Sequence, residues 1–252
     1  MKRLLEVCVD SLASCRAAIR GGADRLEFCS ALALGGLTPY TELLKQLRDE
    51  SDIEVRCLMR PRAGDFLYTK DEISLLASQI KSLRSAGASG FVIGCLRPDG
   101  TLDVEAMKPL IEATEGTGLT LHRAMDVSRN LTETYFSAAE CGIDTILTSG
   151  GKSNCWAGRN MIGQLIDLRD KTNGPEILIG AGVNANVIEK FLAKYPHARA
   201  FHMSGKIEIE SAMEFRRDEV PMGLPGLDEW HIQQTSESYV RQARTVLNEF
   251  KP

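Results

Sequence analysis

The sequence alternates between short apolar stretches typical of β-strands and longer stretches with the periodicity of amphipathic helices, and it does so eight times. Such alternation is typical of a parallel sheet, because parallel strands must be joined by crossover connections, usually helices. Eight strand–helix units in 252 residues predict a closed (β/α)8 TIM barrel. The alternative is an open doubly wound sheet, but the first predicted turn, Asp10-Ser11, lacks the glycines of a dinucleotide-binding loop.

No change of composition marks a second domain, so residues 1–252 are predicted to form one barrel domain. The predicted fifth strand runs from Leu119 to Met125. A long polar loop, at about 206–235, is expected after the eighth strand, and a C-terminal helix from Glu237 to Phe250 follows it.

The net charge of −4 provides no basic surface for nucleic acid or anionic lipid. No apolar run is long enough to span a membrane, so no membrane partner is expected either. Seven cysteines without a close pair indicate reduced thiols and a cytoplasmic protein. A small-molecule ligand is therefore the expected partner. A homo-oligomer is compatible with the sequence, which does not define the oligomeric state.

The segment that follows the predicted third strand is rich in charged residues. Arg60, Arg62 and Asp65 lie in the run Leu58-Met-Arg-Pro-Arg-Ala-Gly-Asp-Phe66. A guanidinium group matches a phosphate or carboxylate in bidentate geometry, which makes this loop a candidate anion site. The alternative is that Asp65 pairs with Arg62 and only fixes the loop.

The first two predicted strands carry the same polar pattern, Glu6-x-Cys8 and Glu27-x-Cys29. Side chains two positions apart on a strand share a face, so these four groups converge if that face points into the barrel. A buried carboxylate needs a partner or a function, and Arg25 is one obvious partner. For each cysteine the alternative is a small, inert, buried side chain.

Polar residues and glycines also follow the later strands, where barrel enzymes place their working residues. Glu6, Glu27, His122 and Asp126 are the candidates for acid–base catalysis. Exposed N–H groups in glycine-rich loops attract anions, although glycines also serve tight turns, and a histidine can simply be a satisfied core residue. The candidate anion-binding residues are Arg60, Arg62, Asp65, Arg123, Ser149, Gly150, Gly182, His202 and Ser204.

Six segments, taken in order, resemble the CutC family: Leu5–Cys8, Gly22–Cys29, Gly35–Pro39, Arg60–Phe66, His122–Asp126 and Leu147–Gly150. Members are called copper homeostasis proteins and are cytoplasmic (β/α)8 barrels. The resemblance runs from the first strand to about Arg216 and implies that fold. It also implies Cys8 and Cys29 as copper(I) ligands. Leu34 departs from the family, which usually has Glu before this Gly-Gly pair, so that acidic group is absent.

The sequence is compatible with two main functions. The resemblance favours copper(I) binding or trafficking through Cys8 and Cys29, because Cu(I) prefers sulfur ligands. The residues favour an enzyme for a small anionic metabolite, such as a phosphorylated one, with arginines binding the anion and His122 or Glu27 as general acid or base. A barrel that only binds its ligand is a third alternative. We expect Glu6, Glu27, Arg60 and His122 to converge at the C-terminal end of the barrel.

Overall fold

The computed structural model describes residues 3–217, 219–220, 223, 226 and 228–250. Eight parallel strands pair in sequence order, and the eighth pairs with the first, so the sheet closes into the predicted TIM barrel. The strands are β1 (Leu4–Val9), β2 (Arg25–Phe28), β3 (Glu54–Leu58), β4 (Gly90–Ile93), β5 (Gly118–Leu121), β6 (Thr145–Thr148), β7 (Glu176–Ile179) and β8 (Ala200–Met203).

Five of the helices between the strands, among the residues described, begin at polar caps whose side chains accept from first-turn N–H groups. Ser11 caps the first helix, and Thr69 and Glu72 form a reciprocal capping box on the third. The helices are α1 (Leu12–Gly21), α2 (Thr41–Glu50), α3 (Lys70–Ser85), α4 (Val104–Thr114), α5 (Ala124–Val127), α6 (Leu131–Glu140), α7 (Arg159–Thr172), α8 (Ala185–Lys194) and α9 (Glu237–Glu249). A 3-10 turn spans Leu32–Leu34. In the part of the chain described, no helix has the length and apolar character needed to cross a membrane.

The main apolar core lies between the barrel and its helices. Phe28, Phe91 and Phe201 point outward from their strands and are fully buried there. The side chains that point into the barrel alternate with these, and they combine buried polar residues with two small apolar clusters, Cys29, Leu58 and Val92 in one and Leu147, Leu178 and Ala200 in the other. At the N-terminal end, Arg56 donates to Thr120 Oγ1 at 2.8 Å and to Asp144 Oδ1 at 2.6 Å, which closes the floor of the barrel.

Two segments differ from the sequence prediction. The strand predicted to reach Met125 ends at Leu121, and α5 begins three residues later. The expected loop at 206–235 contains a two-stranded antiparallel ribbon, β9 (Lys206–Glu210) with β10 (His231–Thr235). Six of the positions outside the described set lie between these two strands.

Candidate functional site

A cavity of about 310 Å³ opens at the C-terminal end of the barrel. Six of the predicted site residues line it, and they come from five different strand ends. Leucines and Phe66 supply the apolar part of its wall. The six predicted residues are Cys8, Glu27, Arg60, His122, Arg123 and His202.

Glu6 lies beneath this cavity, fully buried, and links three strands. Its Oε1 is 2.7 Å from His202 Nδ1, and its Oε2 accepts from Arg25 Nε at 2.5 Å. The register explains these contacts, since Glu6 is the β-ladder partner of Arg25 on one side and of His202 on the other. Burial alone raises the pKa of Glu6, but the Arg25 and His202 charges and hydrogen bonds outweigh it and lower that pKa to about 2. Glu6 is therefore an anion at neutral pH.

His202 is held between Glu6 and a second acidic neighbour. Its Nε2 lies 3.8 Å from Glu27 Oε2, on the side away from Glu6. Burial opposes a charged imidazole, but Cys8 and Glu27 and the hydrogen bond to Glu6 raise the pKa of His202 well above its ordinary value. The imidazole is therefore protonated at neutral pH and donates to the groups around it.

Glu27 is the carboxyl group that faces the cavity. Burial is the largest cause of the rise in its pKa to about 7. The charge of Glu6 adds to that rise, while His202 and Arg25 oppose it. A carboxyl with a pKa near neutrality can both take up and release a proton at physiological pH, which is the requirement for a general acid or base.

Cys8 joins Glu27 and His202 in a compact cluster. One ligand atom from each of these three buried residues lies within 4.8 Å of the other two. Cys29, which the resemblance pairs with Cys8, lies outside this cluster. Its Sγ donates to the Val9 carbonyl at 3.4 Å, and burial raises the pKa of its thiol well above its ordinary value.

His122 supplies an unpartnered donor on the opposite wall. Its Nδ1 accepts from the Ala124 N–H at 3.1 Å, so the neutral ring carries its proton on Nε2. Burial, with the charge of Arg60, lowers the pKa of His122 to about 3, which keeps the ring neutral. Within the described part of the chain, Nε2 is buried and has no hydrogen-bond partner.

Arg60 has a divided role. Its Nη1 donates to the Leu34 and Gly36 carbonyls at 3.0 and 3.1 Å, and its Nη2 donates to Gly64 O at 2.9 Å. The guanidinium therefore anchors the loop over the cavity and does not present its fork to a ligand. Its buried Nε has no partner among the described residues and is the donor left for one.

Asp126 occupies the glycine-rich loop after β6 in the way that an anion would. Its carboxylate accepts from the N–H groups of Ser149 at 2.9 Å and Gly151 at 3.1 Å, and from Thr148 Oγ1 at 2.6 Å. The Gly150 N–H donates to Thr148 Oγ1. These donors are satisfied within the protein, so the contacts of Asp126, Ser149 and Gly150 support the loop and leave no N–H of these residues for a phosphate.

The other predicted residues lie at the edge of the site or outside it. Arg123 lines the cavity but pairs with Asp126 at 2.8 Å. Arg62 pairs with Glu72 at 2.6 Å and with Asp65 at 3.0 Å, which matches the simpler of the two interpretations of that loop. Gly182 and Ser204 do not line the cavity; Ser204 lines a neighbouring cleft of about 440 Å³ beside the ribbon.

Four residues that the sequence did not predict as site residues also contribute to the site. Gly94 makes room for His122, since a Cβ at this position would lie 2.6 Å from His122 Cε1. Phe66 packs against the His122 ring with centroids 4.7 Å apart, and it lies 5.4 Å from the Arg60 guanidinium carbon. Leu32 and Leu34 cover the cavity from the loop after β2. Only Gly94 carried a signal, as a glycine at the end of a predicted strand.

Comparison with solved structures shows where this fold occurs. A structure provisionally named as the copper homeostasis protein CutC of Streptococcus agalactiae aligns with a TM-score of 0.75 at 26% identity, covering 80% of this chain and 98% of that one. The 3-hexulose-6-phosphate synthase of Salmonella typhimurium aligns with a TM-score of 0.60 at 16% identity, covering 99% of each chain. At that identity the second likeness concerns the fold alone.

Sequence comparison identifies the family. The "family protein CutC" of Porphyromonas gingivalis is 39% identical over 248 residues, covering 98% of this chain and 99% of the relative. That of Vibrio cholerae is 40% identical over 245 residues, covering 96% and 95%. The family model of CutC matches residues 3–207. The chain therefore belongs to the CutC family.

Proposed function

We propose that this chain is a barrel enzyme that acts on a small anionic metabolite bound in the cavity above Cys8, Glu27 and His202. The observation that carries the proposal is the pair of buried, unpartnered donors, Arg60 Nε and His122 Nε2, in a cavity formed by the same strand ends. A buried donor without an acceptor costs about 1–3 kcal/mol, so a fold retains two of them together where a ligand supplies the acceptor.

The size and the charge of the cavity limit the class of ligand that fits it. Its volume of about 310 Å³ is at the lower end of the range for small-molecule sites. Arg60, Arg123 and protonated His202 supply positive charge, and the unpartnered N–H groups favour a carboxylate or carbonyl oxygen. Glu27, with its pKa of about 7, would transfer the proton.

The test is thermal stabilisation by a panel of small carboxylates and phosphorylated metabolites at millimolar concentration. His122→Phe keeps an aromatic ring beside Phe66 and removes the N–H donor. We therefore expect the apparent affinity for the ligand, derived from the thermal shifts, to fall at least tenfold. Arg62→Ala is the matched control, because Arg62 pairs outside the cavity and should leave the response unchanged. If no compound stabilises the wild type, or if His122→Phe responds equally, the proposal fails.

Copper(I) binding is the second candidate, because a structural neighbour is named for copper homeostasis. The donors fit this ion poorly. The cluster offers one sulfur, from Cys8, while Met203 packs in the outer core and Cys29 is bonded to Val9 O. Cu(I) prefers thiolate and thioether ligands, and a carboxylate is a hard donor.

We therefore propose that Cu(I) binds this chain weakly and is not a resident cofactor. A competition titration with a chromogenic Cu(I) chelator, comparing the wild type with the Cys8→Ser/Cys29→Ser double variant, checks this. Tight one-to-one binding that the double variant loses would contradict it. We also propose a cytoplasmic location, since all seven cysteines are unpaired, as in a reducing compartment.

A further inference from the structure

A thiol, an imidazole and a carboxylate lie in series at the base of the cavity. Cys8 Sγ is within 4.8 Å of a ring nitrogen of His202, and His202 Nδ1 is 2.7 Å from Glu6 Oε1. Arg25 in turn fixes the other oxygen of Glu6. The three residues stand on adjacent strands, β1 and β8, so the barrel itself sets their positions.

We propose that Cys8 is a covalent nucleophile, that His202 activates it, and that Glu6 orients the imidazole. The order of groups is that of nucleophilic thiol and hydroxyl enzymes, in which a base beside the nucleophile is oriented by a third group. This inference rests on the proposed function and deepens it by naming the ligand class, which is a small carbonyl compound that also bears a carboxylate.

The step needs no additional reagent. In the reacting pair the S–H bond of Cys8 is broken and its proton is the one that the His202 imidazolium carries, so the sulfur attacks as a thiolate. It donates an electron pair to the carbonyl carbon and forms a C–S bond, while the C=O π pair moves onto the oxygen. The oxygen then takes the proton that His202 holds, so a thiol and an aldehyde become a neutral hemithioacetal, and the reverse path restores both. Arg60 Nε–H and His122 Nε2–H are the donors available to the developing oxyanion.

The remaining cysteines lack this arrangement. Five of them are almost fully buried, namely Cys15, Cys29, Cys57, Cys95 and Cys155. Cys141 is the more exposed exception, at the end of α6, and burial raises the pKa of its thiol. Cys8 is 7% exposed, and it opens on the cavity. Cys141 is therefore an internal reference for an accessible thiol that no imidazole activates.

The experiment measures alkylation by limiting iodoacetamide at neutral pH, with each cysteine quantified by peptide mass spectrometry. We expect Cys8 in the wild type to react at least tenfold faster than Cys141, despite its lower exposure. Glu6→Gln should slow Cys8 at least tenfold and leave Cys141 unchanged, whereas Cys141→Ser should leave the rate at Cys8 unchanged. A Cys8 rate equal to or below that of Cys141 would overturn the proposal.

Glu6→Gln leaves Arg25 without its carboxylate partner, so the fold of this variant must be verified by circular dichroism. His202→Gln is a second variant in which the alkylation of Cys8 should slow by the same factor. The covalent step is tested with ¹³C-labelled glyoxylate, whose carbonyl carbon should shift to a hemithioacetal position with wild type and not with Cys8→Ser. If glyoxylate stabilises both proteins equally and no adduct forms, the binding function stands and the nucleophile is refuted. If glyoxylate stabilises neither, the carbonyl ligand class is refuted, and the wider panel decides the proposed function.

Discussion

Replacing Glu27 with Gln should change how the stability of the protein depends on pH. The carboxyl is buried at the base of the cavity, and its pKa is raised from an ordinary 4.5 to about 7. A raised carboxyl pKa favours the folded state while the group is protonated, and this advantage is lost as pH rises from the unfolded pKa through the folded one. At about 1.36 kcal/mol per pKa unit, ionising Glu27 costs the folded protein roughly 3 kcal/mol.

The assay is urea unfolding followed by circular dichroism at several values between roughly pH 5 and pH 8, over which most of this cost develops. The free energy of unfolding of the wild type should fall relative to Glu27→Gln by about 2–3 kcal/mol across that range. The exposed Glu42→Gln is the matched control and should give a constant difference from wild type. A wild-type-minus-variant difference that stays flat, or that rises with pH, would refute the assignment of Glu27 as the neutral-pH acid.

Two further predictions concern the residues that shape the site. Asp126→Ala removes the carboxylate that accepts from the Ser149 and Gly151 N–H groups, so the free energy of unfolding, measured in urea, should fall by about 3 kcal/mol. A loss below about 1 kcal/mol would contradict the structural role of Asp126. Gly94→Ala places a Cβ against His122, which should lower the free energy of unfolding by about 1–3 kcal/mol and weaken the thermal stabilisation by ligand. If the ligand stabilises this variant as much as the wild type, the position of His122 is not critical for binding.

The barrel could be predicted because its signal is local and repeated. Each outward-facing strand residue packs in the core against a helix, and this places apolar residues and caps where pattern analysis finds them. The end of β5 could not be predicted. The chain turns there because the Ala124 N–H donates to His122 Nδ1, and the periodicity of the sequence does not reveal this contact. The ribbon did carry a signal, the alternation Lys206-Ile-Glu-Ile-Glu210, but its charged residues made it resemble a polar loop.

The sequence predicted the end of the barrel at which the candidate site lies and the strands that contribute to it. It did not predict the hydrogen-bond and ion-pair partners of the site residues. A single residue separates Arg60 from Arg62, yet Arg60 is buried under the loop after β2 and Arg62 pairs with Glu72. The pairing of Cys8 with His202, rather than with Cys29, depends on the closure of β8 onto β1. Contacts across such sequence separations follow from register, which the sequence of a single strand does not specify.

The position of Asp126 has a consequence for selectivity. Because its carboxylate is tethered to the loop that it fills, it is present there at a high effective concentration, which a dissolved anion at ordinary cellular levels does not match. Inorganic phosphate would have to displace this carboxylate before it could bind the N–H groups of the loop. Under the proposed function, the ligand is held by the unpartnered donors at the centre of the barrel, so its recognition depends on the shape and oxygen pattern of the whole molecule and not on a generic phosphate group.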